Sequence, residues 1–202
     1  MTLFMSKLMS GIVELLIVSI IPFITWLIWS RKKVGFFDWI GLKRVESQQK
    51  KRLLLTILGI SLLFFLFSIV VFSWFDSSQT ATAAFSGKGI GALPAILAYA
   101  ILGTALPEEI FFRGFLLKRL QGKLGFLGAN LVQSLVFGLI HALMFIQITG
   151  YLRAMAIMAF ITLIAYIFGA INEKKASGSI LPSVQYGCRA SLCLLLHLDK
   201  VI

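Results

Sequence analysis

Apolar segments of bilayer-crossing length dominate this chain and leave few folds open to it. The first runs roughly from Leu8 to Ser30 and carries one charge, Glu14. Others follow at about Leu53 to Phe75, Ile90 to Leu106, Phe126 to Ile148, Leu152 to Ile171 and Ser179 to Leu198. A spanning helix needs about 20 mostly apolar residues. Lipid offers no partner for an open sheet edge, and the runs lack the alternation of a membrane barrel. The expected fold is all-α, a polytopic transmembrane bundle with about 6–8 membrane-embedded helices. One membrane domain over 1–202 is expected, with N-terminal helices and a basic loop in 1–89 and a second part in 90–198. Hydrophobic residues make up 59% of the chain and charged residues 13%. A soluble domain carries about a quarter charged residues, so water is excluded as the main solvent.

The net charge of +11 is unevenly placed. Arg31, Lys32, Lys33, Lys43, Arg44, Lys50, Lys51 and Arg52 share one short polar interval between two apolar runs. A nucleic-acid binder would need such a cluster on a water-facing fold, so no nucleic-acid partner is expected. Between spanning helices the cluster marks a cytoplasmic loop. That orientation puts the N-terminus outside, the polar stretch 76–89 outside, and Lys118, Arg119, Lys123, Lys174 and Lys175 inside. It needs a tight external turn at Thr149–Gly150, beside Arg153. The expected location is the cell membrane, multi-pass, with lipid as the first partner. Cys188 and Cys193 show neither disulfide-framework nor metal-ligand spacing. The first apolar run is too long for a signal-peptide core, and we expect it to be retained.

Ionisable residues at membrane depth are costly, so a group of them is a candidate site. Glu108 and Glu109 follow Pro107, Arg113 stands four residues after Glu109, and His141 interrupts an apolar run four residues after Phe137. Glu109 and Arg113 meet on one helix face. Pro107 suits a helix start, and two carboxylates then occupy the first turn. The reading that follows is a divided pair: Glu109 held ionised by Arg113, Glu108 left to take and give protons, and His141 sharing that task or orienting a water. On a soluble helix, Glu-Glu-x-x-x-Arg is ordinarily a solvated charged face, and a lone His ordinarily a packing residue. The flanks Ile-Leu-Gly-Thr-Ala-Leu and Ile-Phe-Phe argue against the first. Glu14 snorkels to the surface or pairs with a base elsewhere. Gly122, Gly125 and Gly128 read as a turn and close helix packing. Asn130 and Gln133 are placed to bond across helices, and Asn172 reads as an interface residue.

Pro107-Glu108-Glu109-Ile110-Phe111-Phe112-Arg113-Gly114 resembles the Glu-Glu-x-x-x-Arg motif of the CPBP family, the CAAX-processing and bacteriocin-processing membrane proteases also called Abi. Phe137-Gly138-Leu139-Ile140-His141 matches that family's Phe-x-x-x-His, and Gly178-Ser179-Ile180-Leu181-Pro182-Ser183 looks like the lead-in to its third motif. The resemblance covers roughly residues 90 to 186 and suggests a bacterial protein. It implies an intramembrane endopeptidase with a protease core over 90–198, acting on a membrane-associated protein or peptide. By the same resemblance, Glu108 and His141 activate water, while Glu109 and Arg113 support the site. Metal chemistry stays open: the family is described both as zinc enzymes, with Glu108 and His141 as candidate ligands here, and as metal-independent glutamate proteases. The third motif departs from the pattern. Five residues after Pro182, where the family places a His, stands Gly187, followed by Cys188-Arg189-Ala190-Ser191. His197 lies too far along to take that place; Gln185 and Arg189 are the other donors nearby.

Three functions compete. The first is a membrane endopeptidase. The second is a catalytically impaired relative acting as a scaffold or bacteriocin-immunity protein, suggested by Gly187. The third is a small proton-coupled carrier, for which no inverted repeat or paired broken helix speaks.

Overall fold

A computed structural model of the chain describes residues 2–45, 50–74, 84–85 and 87–188. Among the described residues every regular element is helical and there is no strand. Helix α1 is Leu3–Trp29, α2 is Phe36–Ile40 and α3 is Lys50–Phe72. A 3-10 turn, Gly89–Ala92, leads into α4, Leu93–Ala100. The helix then widens to π geometry over Ile101–Ala105, tightens in α5, Leu106–Glu109, and widens again over Ile110–Leu117. It continues as α6, Lys118–Thr149, before α7, Tyr151–Lys175. Residues 181–188 are helical. Arg189, Cys193 and His197 lie outside the described residues, as do parts of the loops at 31–52 and 76–89.

Among the described residues, four helical stretches are long and apolar enough to cross a membrane: Leu3–Trp29, Lys51–Val70, Gly89–Thr149 and Tyr151–Lys175. The chain is a polytopic transmembrane helix bundle. Its segmentation differs from the sequence expectation in the middle. The apolar run at 90–106 and the segment after it form one helical path as far as Gly125, and a further helix continues from there to Thr149. Pro107 does not start a new helix. The π segment directly ahead of it lets Leu106 N–H bond Ile101 O, five residues back, which makes room for a ring lacking its own N–H. The run breaks at Gly125, where φ 65 and ψ 173 suit a residue without a Cβ. A second turn, at Gly150 (φ 78), separates α6 from α7 as the Thr149–Gly150 reading required.

The chain divides into two compact units. The first takes the described residues of 1–17, 50–107 and 184–202. Its core gathers Phe85, Ala92, Ala95 and Ile96, with Leu3 and Tyr99 against them. Lys7 Nζ lies 5.3 Å from the Phe85 ring centroid and 5.2 Å from that of Tyr99.

The second unit takes the described residues of 18–49 and 108–183. Its centre is the packing of α6 on α7, with Phe112, Phe137 and Ala165 buried between partly buried Phe111, Leu116 and Ile161. Small residues let the helices close: a Cβ on Gly138 would stand 2.8 Å from the Met158 carbonyl oxygen. Farther along, Asn130, Gln133 and Ser134 are fully buried. Asn130 Nδ2 donates to the Tyr166 carbonyl at 2.9 Å and Gln133 Nε2 to the Ala165 carbonyl at 3.3 Å, both across to α7. At one end of this unit the basic segments converge. Lys118 Nζ donates to Glu173 Oε1 at 2.7 Å and to the Gly178 carbonyl at 2.8 Å. Ile180 N–H bonds Gly41 O, and Ser179 Oγ donates to the Lys43 carbonyl at 2.6 Å.

Candidate active site

The site lies in the second unit and begins with the helix spacing of Glu109 and Arg113. Four residues apart, they share a face. Arg113 Nη1 stands 2.8 Å from Glu109 Oε1, and the two residues are 3% and 6% exposed. The contact is an ion pair without hydrogen-bond alignment: Nη1 and Nε of Arg113 have no aligned acceptor. A buried carboxylate needs its other oxygen satisfied too. Ser183 supplies that, donating its hydroxyl to Glu109 Oε2 at 2.5 Å. The Ile180 carbonyl is a second acceptor at 2.9 Å, but Ser183 has one proton, and the shorter bond to the carboxylate takes it. Asn172 Nδ2 donates to Ser183 Oγ at 2.6 Å, so the hydroxyl is oriented from behind. Asn172 and Ser183 are both fully buried.

On its other side Arg113 lies over an aromatic face. Its guanidinium carbon is 4.6 Å from the Phe137 ring centroid, a cation–π distance. Phe112 meets Phe137 edge to face at 4.8 Å. The His141 ring is 4.4 Å from Phe137 by centroid, on the next turn of α6. One chain of side-chain contacts therefore runs Ser183–Glu109–Arg113–Phe137–His141. Glu108, one residue ahead of Glu109 in the chain, is half-buried.

His141 Nδ1 is 2.9 Å from the Phe137 carbonyl. A carbonyl oxygen only accepts, so Nδ1 carries the hydrogen. In the neutral ring that leaves the lone pair on Nε2, the nitrogen able to accept a proton from water or to bind a metal. A catalytic zinc takes three protein ligands. Among the described residues no three His, Cys, Asp or Glu side chains come together, so these residues do not make that donor set.

Ser183 and Asn172 are the residues that sequence reasoning did not place at the site. Ser183 ends the motif-like stretch Gly178–Ser183, a signal that pointed to the segment but not to its hydroxyl. Asn172 offered only its polarity within an apolar run. At Gly187, where the resembled family carries His, a Cβ would lie 3.1 Å from Ala105 Cβ.

Residues 90–186 match a family model described as type II CAAX prenyl endopeptidase Rce1-like. No curated protein and no solved structure matches the chain.

Proposed function

Over residues 90–186 the chain belongs to the Rce1-like family of type II CAAX prenyl endopeptidases, and from that membership we propose that it hydrolyses a peptide bond in a membrane-associated substrate with Glu108 and His141 activating the water. The substrate class that fits is a lipid-anchored CAAX-like protein or a leader or bacteriocin-type peptide. The observation that carries the reading is the Nδ1–H bond from His141 to the Phe137 carbonyl, which presents Nε2 as an acceptor. Water held by Nε2 and the Glu108 carboxylate gives up a proton as its oxygen bonds to the scissile carbonyl carbon. When the carbon–nitrogen bond breaks, the same proton passes to the departing amine. Glu109, already engaged by Arg113 and Ser183, holds the helix face rather than the proton.

The orientation follows from charge. Lys118 and Glu173 are fastened together in the unit that also carries Arg31, Lys32, Lys33 and Lys43, and bases near helix ends favour the cytoplasmic side. We place this end in the cytoplasm.

The test is a membrane-reconstituted cleavage assay on a prenylated peptide with a CAAX-type end. Glu108→Gln and His141→Asn should each lower turnover by about 10²–10⁴-fold. Parent-like turnover in either variant refutes the assignment of that residue.

A further inference from the structure

The turn after α1 has a construction that neither the bundle nor the proposed peptidase site uses. Ser30 N–H and Arg31 N–H both bond the Trp26 carbonyl, at 2.8 and 2.9 Å, and Lys33 N–H bonds the Ser30 carbonyl at 2.9 Å. The Trp26 indole N–H donates to the Val34 carbonyl at 2.8 Å. Residues 30–34 are thus curled back onto the helix end and fastened. Trp26 is itself set in an aromatic cluster, 5.5 Å from Phe23 and 5.6 Å from Phe36 by ring centroid. Aromatics of this kind sit at the level of the lipid headgroups.

Arg31, Lys32 and Lys33 are exposed on that turn, and their side chains have no hydrogen bond, ion pair or ring contact among the described residues. Asp38, the nearest acid in sequence within the described residues, makes no ion pair with them. Together with Leu27, Ile28 and Trp29, the three cations line an open groove. Below it, Ile21, Ile24 and Ile28 recur at one-turn spacing and are 56%, 49% and 62% exposed. The surface is therefore an apolar stripe along a spanning helix that ends in three charges with no counter-ion among the described residues.

We propose that this groove binds an anionic phospholipid, its phosphate against Arg31, Lys32 and Lys33 and an acyl chain along Ile28, Ile24 and Ile21. Charge complementarity selects an anionic headgroup over a zwitterionic one. Continuity of the apolar stripe selects a lipid over a soluble phosphate. Fastening of the turn by Trp26 means the backbone that carries the cations is already in place.

The full chain in phosphatidylcholine nanodiscs, titrated with phosphatidylglycerol, tests this. A basic residue near the surface is worth about a fivefold change in affinity for anionic lipid, so Arg31→Gln/Lys32→Gln/Lys33→Gln should bind phosphatidylglycerol on the order of a hundredfold more weakly. Arg31→Lys/Lys32→Arg/Lys33→Arg should bind as the parent does, which separates lost charge from lost folding. Lys174→Gln/Lys175→Gln, which removes two exposed cations elsewhere in the unit, should leave binding within a few-fold. Parent-like binding by the triple Gln variant overturns the proposal. So does an equal loss in the Lys174/Lys175 variant, which would mean diffuse attraction. Glycerol phosphate binding as tightly as the lipid would overturn it in favour of a soluble-anion site. None of these readouts depends on peptidase activity.

Discussion

Ser183 donates its hydroxyl to Glu109 at 2.5 Å, joining residues 74 positions apart in the chain. The bond ties the segment after α7 to the helix that carries the Glu-Glu pair. Both groups are buried, so water cannot substitute for either partner.

Ser183→Ala should therefore destabilise the protein by about 1–3 kcal/mol, the cost of leaving a buried acceptor short of a donor. Denaturant unfolding in one defined detergent reads this directly. An unchanged midpoint would show that Glu109 does not rely on the hydroxyl.

Arg113→Leu should cost more, about 3–5 kcal/mol, because it strands a buried carboxylate. The double variant Glu109→Gln/Arg113→Leu should recover a large part of that loss, since no unpaired charge remains. A surface ion pair would show well under about 1 kcal/mol of coupling in the same cycle. Coupling that small between Glu109 and Arg113 would contradict the burial and the ion pair alike.

The helical class, the Glu109–Arg113 pair and the acceptance of Asn130 by the neighbouring helix were all legible in the sequence, because each depends on local spacing or on the cost of polar atoms in lipid. The middle of the chain was not. A proline reads as a helix start, yet ahead of Pro107 the chain takes up the ring by widening to π geometry, and no composition signal marks that. Ser183 and Asn172 were illegible at the site for another reason. Their partners come from distant turns, and a hydroxyl or amide in an apolar run does not say which buried group it faces.

Gly138 supports the site through packing. It follows Phe137 and precedes His141 by one helical turn, and a side chain there would meet Thr162 and the Met158 carbonyl of α7. Gly138→Val should push α6 from α7 and disturb Phe137, the ring that contacts both Arg113 and His141. The expected loss is about 1–3 kcal/mol of stability from overpacking, read by thermal unfolding. Gly122→Val, with open space around it, should cost nothing in packing and gain about a few tenths of a kcal/mol in helix propensity.

Lys118 controls how the last described segment is presented. Its ammonium bridges Glu173 and the Gly178 carbonyl, so it closes the turn between α7 and the residues leading to Ser183. Gly178 is in a left-handed conformation (φ 76), which the turn requires and which the bond to its carbonyl helps hold. Lys118→Met keeps the apolar stem and removes both bonds. Amide hydrogen exchange over 176–183 should then accelerate while exchange in the middle of α6 stays at the parent rate. Ser183 would be held less firmly against Glu109, and the variant should lose part of the stability that Ser183→Ala loses. Combining Lys118→Met with Ser183→Ala should therefore cost less than the two effects added. Strict additivity would show that the turn and the Ser183–Glu109 bond act independently, and that Lys118 fastens the loop without positioning the hydroxyl.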